Sequence, residues 1–300
     1  MNNIYRDKVE LLLRIMPLVM EEECFAVHGG TAINLFVKEL PRLSVDIDLT
    51  YIPLEDRNSS LQHINDALMR IATRVKQSLK GVNIIPRLDI SKLTCEYHGR
   101  QIKIEVNQTK RGIVVSEAQM MPLCDKAQDE FQLYTEARIV PMTQLYGGKI
   151  AAALSRQHPR DLFDVAQMNI SIEEAKLGLI FCLLGSDRPL HESFAPNLID
   201  QREAMENQFV GMSDIPFGYD EFEQTRSQLI EDVKAIMNDD DKKFLVGFEL
   251  AEPDWTLVPY AEFAEYPSVK WKLMNLQKLK KNNPDKLKSE AERLKDIFEQ

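Results

Sequence analysis

At 300 residues, with 44% apolar and 28% charged residues and a mean hydropathy of -0.30, the chain has the composition of folded protein, enough for two domains, which excludes wholesale disorder. Its net charge of -10 excludes a uniformly basic nucleic-acid coat but leaves room for a local patch, since residues 200–265 carry 5 Lys and Arg against 17 Asp and Glu while 270–300 carry 9 against 5. Four widely spaced cysteines (Cys24, Cys95, Cys124, Cys182), no apolar run longer than Leu177 to Leu184 and no leader-like N-terminus predict a soluble protein of the cytoplasm with reduced thiols and no membrane contact.

Ile4, Leu11, Leu12, Ile15, Leu18 and Val19 recur at helical spacing and predict an amphipathic helix over 4–20. Cys24 to His28 reads as a short strand, broken by Gly29-Gly30, with Thr31 as the expected cap of a helix running to Pro41. The run LSVDIDLTYI then alternates, so that Ser44, Asp46, Asp48 and Thr50 share one face of a strand and Leu43, Val45, Ile47 and Leu49 the other. Leu61 to Leu79 predicts a helix, and KLTCEY and QIKIEV predict two strands joined at His98-Gly99, the second bearing Glu105 on its polar face. A last strand is expected near 136–140. Pro141 opens a helix that carries Lys149, and a second helix begins near Arg160-Asp161. Beyond about 170 the patterns are helical, at 172–184, 220–237 and 268–298, which places a first domain at 1–170 and a helical one at 171–300.

Strand, Gly-Gly turn and helix leave backbone N–H groups open to a phosphate. Taken alone, such a turn is more often only a turn. Two aspartates two apart on a strand offer hard oxygens to divalent cations, and magnesium takes a few carboxylates together with substrate phosphates. An isolated D-x-D reads as readily as a solvated strand face. The order matters more than either part, because one predicted helix separates Gly30 from Asp46 and brings phosphate loop and carboxylates to the same end of neighbouring strands. Glu105 is the third carboxylate of choice for a site of two magnesium ions, with Glu96 and Asp89 as its competitors. Lys149 suits triphosphate charge, or equally a surface position at a helix edge, and Asp161 suits either its orientation or a helix N-terminus. His28, beside the glycines, reads as a packed imidazole and receives no catalytic role.

HGGTAINLFVKELPRLSVDIDL resembles the first motif of the AbiEii/AbiGii nucleotidyltransferase-type toxins, and KIAAALSRQHPRDLFDV resembles their second, a Lys helix followed by R-D-x-x-D. The resemblance covers about 140 residues, with Glu105 between the motifs, and fades beyond 170. It implies an α/β (α+β) polymerase-β-like nucleotidyltransferase core with a mainly helical C-terminal region. It also implies the toxin role of a toxin–antitoxin or abortive-infection pair, active in phage defence. On these positions Gly29, Gly30, Thr31 and Ser44 are expected to hold the nucleoside triphosphate, and Asp46, Asp48 and Glu105 the metal. Lys149 and Asp161 match the later motif positions, with Asp164 beside them. Related MenT-type toxins add nucleotides to tRNA ends, so the expected acceptor is RNA, the tRNA 3′ end first, and the expected restraining partner is a winged-helix antitoxin. A protein hydroxyl or a small molecule as acceptor, and a non-catalytic nucleotide-binding regulator, are the alternatives.

Overall fold

The structure, a computed structural model, describes residues 2–299. The chain forms two compact units, Met1–Pro141 with Phe209–Pro216 and Met142–Gln208 with Phe217–Gln300.

The first unit is built on α1 (Asn3–Met20), β1 (Phe25–His28), α2 (Gly29–Ala32, running on as a π-helical turn over Ile33–Val37), β2 (Asp46–Tyr51), α3 (Arg57–Ser78), β3 (Asn83–Arg87), β4 (Lys92–Tyr97), β5 (Arg100–Val106), β6 (Gln119–Pro122), α4 (Asp125–Phe131) and β7 (Glu136–Ile139). Its strands form one mixed sheet in the order β3-β4-β5-β2-β1-β7-β6. β2 lies at the centre, antiparallel to β1 and parallel to β5. Alternation does what the sequence dictates, for Ile47, Leu49, Ile102, Ile104 and Val106 are all buried while Asp46, Asp48, Lys103 and Glu105 lie between them on the other face. α1 and α3 bury their apolar stripes, Val9, Leu12, Ile15, Met16 and Val19 on one and Ile64, Leu68, Ile71 and Val75 on the other. The two helices are tied by Glu22, which meets Arg70 and Arg74 at 2.7 Å each. Burial works to raise the Glu22 pKa, yet the two guanidinium groups hold it below the usual carboxylate range.

Residues 209–216 return to this unit from far along the chain. Leu43 N–H donates to the Met212 carbonyl at 2.7 Å, Ser213 Oγ to the Pro41 carbonyl at 2.8 Å, and Asn2 N–H to the Gly211 carbonyl at 2.8 Å. Arg42 and Ser213 form an isolated bridge, so the segment straps the lead-in to β2.

The second unit is helical: α5 (Met142–Arg156), α6 (Pro159–Ala166), α7 (Ile172–Leu184), α8 (His191–Phe194), α9 (Arg202–Gln208), α10 (Tyr219–Ala235), α11 (Asp239–Glu249), α12 (Pro267–Asn282) and α13 (Pro284–Glu299). α5 and α7 touch through glycine. A Cβ on Gly147 would lie 2.2 Å from the Gly178 carbonyl carbon, and one on Gly178 would lie 2.0 Å from the Thr143 carbonyl oxygen. No side chain fits there, which accounts for a glycine inside a helix that would otherwise be weakened by it. The expected helix over 268–298 is two helices, α12 and α13, broken at Asn283 with Pro284 opening the second.

No helix among the described residues is long and apolar enough to cross a membrane. Among those residues Cys95, Cys124 and Cys182 are buried and Cys24 is half-buried.

Candidate functional site

β1 ends at His28 and the chain turns at once. Gly29 has a φ of +71°, in the left-handed region that favours glycine, and a Cβ on it would stand 2.9 Å from Asp48 Oδ2. At Gly30 the reason is space: a Cβ would stand 2.6 Å from Arg42 Nη2 and 2.9 Å from Ser44 Oγ. The turn is thus pressed against a carboxylate of β2 on one side and against a guanidinium on the other.

Thr31 is the expected cap of a helix reaching Pro41, but the helix begins three residues earlier, at Gly29, with His28 in the cap position and no side-chain cap bond. Thr31 is fully buried, and its hydroxyl lies 2.5 Å from the Asp46 carbonyl and 3.0 Å from Ser44 Oγ. Two hydroxyls and a carbonyl therefore staple the Gly-Gly turn to the first residue of β2. Asn34 Nδ2 donates to the Gly30 carbonyl at 2.9 Å and holds the turn from below. The α-helical part spans only Gly29–Ala32 before the wider π-turn, so the dipole of a long helix contributes little here.

Asp46 and Asp48 are half-exposed on one face of β2, with fully buried Ile47 between them on the other. In register, His28 of β1 lies opposite Asp48, and on the far side Lys103 and Glu105 of β5 lie opposite Asp46 and Asp48. Glu105 is the carboxylate that the sheet brings beside Asp48. Glu96 instead accepts from Asn83 and Gln101, and Asp89 from Arg87. Glu105 also pairs with Lys92, its register partner on β4, and among the described residues no three acidic, His or Cys side chains converge as a ready-made metal cage. The donor set of Asp46 and Asp48, two hard half-exposed carboxylates beside the Gly29-Gly30 turn, nevertheless suits magnesium, which takes few protein ligands and completes its shell with water and phosphate.

Arg42 escaped the sequence reading. It is 3% exposed, donates from Nη1 to the Leu43 carbonyl at 2.9 Å, and turns Nη2 toward Gly30. The signal was present, because alternation puts Arg42 on the same parity as Ser44, Asp46 and Asp48. The alternating run from Leu43 begins one residue after it, and Pro41 before it reads as a break.

The second unit holds the other charged centre. Lys149 is not a surface lysine: it is 6% exposed, with Nζ 3.0 Å from Asp161 Oδ1 and 2.9 Å from Asp164 Oδ2. Arg156 reaches Asp161 Oδ2 at 2.8 Å. Burial works to raise the Asp161 pKa, but the Lys149 ammonium and Arg156 guanidinium outweigh it and hold the group below the usual carboxylate range. Two carboxylates thus fix one ammonium, and His158, capping α6 by accepting from Arg160 N–H, starts the helix that supplies both. Asp161 therefore orients Lys149 as well as standing in the first turn of a helix.

A mixed sheet whose central strand presents paired aspartates beside a Gly-Gly turn is the arrangement of a nucleotidyltransferase. The family model described as "Nucleotidyl transferase AbiEii toxin, Type IV TA system" matches residues 10–275, and the chain belongs to that family. It is accordingly a nucleotidyltransferase toxin, with a nucleoside triphosphate as substrate and an antitoxin as partner. Among solved structures it is similar to MenT4, a nucleotidyltransferase toxin of Mycobacterium tuberculosis H37Rv, at a TM-score of 0.62 and 11% identity over 92% of this chain and 95% of that one. At that identity the likeness speaks for the fold. No curated protein matches the sequence.

Proposed function

We propose that this toxin transfers a nucleoside monophosphate from a nucleoside triphosphate to an RNA acceptor, the tRNA 3′ end in the first instance, and so stops translation and growth. The observation that carries the reading is the pair Asp46 and Asp48, facing out of β2 and stapled through Thr31 and Ser44 to the Gly29-Gly30 turn. In the transfer, the acceptor hydroxyl oxygen bonds to the α-phosphorus, the bond to the bridging oxygen of the β-phosphate breaks, and pyrophosphate leaves as the hydroxyl loses its proton. Asp46 and Asp48 would hold magnesium, with Glu105 released from Lys92 as a third ligand; when bound, the metal neutralises phosphate charge and lowers the pKa of an attacking oxygen. Gly29 and Gly30 present backbone N–H groups to phosphate with no Cβ in the way, Ser44 and Thr31 keep that turn in place, and Arg42 supplies a fixed positive charge at Gly30. Within the second unit, Lys149, held by Asp161 and Asp164, is the further functional cation we carry over from the family's second motif.

The same reading extends to a winged-helix antitoxin encoded next to this gene, to action in the cytoplasm and to phage defence. Radiolabelled nucleotide offered in turn to total RNA, total protein and small molecules tests the acceptor. Label in RNA 3′ ends is the expected result, and label confined to protein or to a small molecule overturns it. Growth arrest by the wild-type chain, relieved by Asp48→Asn at equal abundance, ties toxicity to the transfer.

A further inference from the structure

An RNA acceptor is a polyanion, and this chain is acidic, so it needs a place where positive charge is concentrated. α12 is that place. Over Pro267–Asn282 it carries five lysines and no acidic residue. Lys272 is buried and donates to the Arg188 carbonyl, while Lys270 pairs with Glu265 and Lys280 with Glu252. Lys278 and Lys281 are exposed and form no ion pair among the described residues. They lie with Trp271, Met274 and Asn275 on one exposed stripe at helical spacing, about 15 Å long from Trp271 to Lys281. Trp271 is 48% exposed, among the largest apolar side chains turned outward in this unit, and the Lys278 ammonium stands over its ring at 5.9 Å.

We propose that the exposed stripe of α12, Trp271 with Lys278 and Lys281, is a binding surface for single-stranded RNA, on which a base stacks against the indole and the two ammonium groups meet backbone phosphates. An aromatic ring interleaved with lysines is the combination that single strands use, since every base offers a π-face and every linkage a charge. A solvated helical face explains lysines, but it does not explain a half-exposed tryptophan set among them with no acidic residue on the helix. Charge alone would equally suit an acidic peptide; the exposed indole beside a cation favours a base. The inference rests on RNA as the acceptor and adds where this unit grips it.

The full chain carrying Asp48→Asn, so that no nucleotide is transferred, is titrated with a fluorescent single-stranded RNA, a duplex of the same sequence and a poly-glutamate peptide. The single strand should bind tightest. Trp271→Ala should weaken it about ten-fold or more, and Trp271→Phe should retain most of the affinity. Lys278→Gln with Lys281→Gln should lower the slope of log affinity against log salt by about 1.4, two phosphate contacts on a single strand. In the chain with Asp48 intact, the same changes should raise the KM for RNA and leave the KM for the triphosphate unaltered. Binding unaffected by all three changes, an unchanged salt slope, or tighter binding of the peptide overturns the surface. If RNA is never labelled yet binds through α12, the acceptor reading fails and the surface stands. If RNA is labelled with an unchanged KM in the variants, the surface fails and the acceptor reading stands.

Discussion

Replacing Lys149 by Ala removes one ammonium from between two carboxylates that are both nearly inaccessible to water, Asp161 at 4% and Asp164 at 1% exposure. Breaking a buried ion pair by deleting one partner costs about 3–5 kcal/mol, because the remaining charge keeps its desolvation penalty without its counter-ion. Arg156 still reaches Asp161, but it is itself 64% exposed and compensates little. For a unit of this size such a loss lowers the melting temperature by roughly 6–20 °C. The pH dependence gives the sharper signature. In the wild type the lowered Asp161 pKa contributes stability that is present above the ordinary carboxylate range and lost as pH falls through the lowered value. Without Lys149 the stranded carboxylates favour protonation, so the variant's deficit should be largest at pH 8 and should shrink toward pH 5. Thermal melts of both proteins across that range measure it. A Lys149→Met chain that also carries Asp161→Asn and Asp164→Asn should recover much of the loss, since well-packed neutral groups carry no uncompensated charge. A Lys149→Ala chain that melts like the wild type at pH 8, or a deficit that does not change with pH, refutes the reasoning.

Asp46→Asn and Asp48→Asn should each melt within about 1 kcal/mol of the wild type, the side chains being half-exposed, yet abolish transfer under saturating magnesium; full turnover in either refutes the metal assignment. Gly30→Ala drives a Cβ against Arg42 and Ser44 and should cost about 1–3 kcal/mol, with weaker triphosphate binding in calorimetry, whereas a silent variant would show that the turn is slack. Thr31→Val removes the hydroxyl that staples the turn to Asp46 and should cost about 0.5–1.5 kcal/mol in denaturant melts, the net worth of a hydrogen bond to a part-buried carbonyl. Burial pushes up the pKa of fully buried Glu249, whose contribution is therefore present below the ordinary carboxylate range and lost as pH rises through the raised value. Glu249→Gln should accordingly flatten the decline in melting temperature as pH rises above the ordinary carboxylate range, and an unchanged decline speaks against it.

Much of the first unit was legible because strand and helix periods coincide with burial. KLTCEY and QIKIEV alternate cleanly and are β4 and β5, and the four carboxylate and hydroxyl positions from Ser44 to Thr50 fall on one parity. β3 and β6 went unread, and both contain proline, Pro86 and Pro122. They are the two edge strands of the sheet, where a missing N–H costs nothing and alternation is not enforced by neighbours on both sides. The strand bearing the aspartates was expected from Leu43 but begins at Asp46, because Arg42 and Leu43 pair with residues 209–216 instead. No local pattern announces a partner some 170 residues away. The expected division of the chain at 170 followed where motifs and strands give out, whereas contacts group residues by distance, and they assign 142–208 and 209–216 to different units. The burial of Lys149 was hidden for a related reason, since its two carboxylate partners lie on the next helix and only the turn at His158-Pro159 brings them round.

The strap over the β2 lead-in also orders events during synthesis. Every strand and both sequence motifs have been made by residue 170, but Leu43, Pro41 and Asn2 find their partners only in Gly211, Met212 and Ser213. A nascent chain can assemble the sheet as it emerges, since domains fold as units from the N-terminal side. It cannot fasten the segment that leads into the aspartate strand until Ser213 has left the ribosome. For an enzyme that is toxic to the cell making it, late fastening of this segment means that truncated products of interrupted translation carry Asp46 and Asp48 on a strand paired by β1 and β5 but with its lead-in unstrapped.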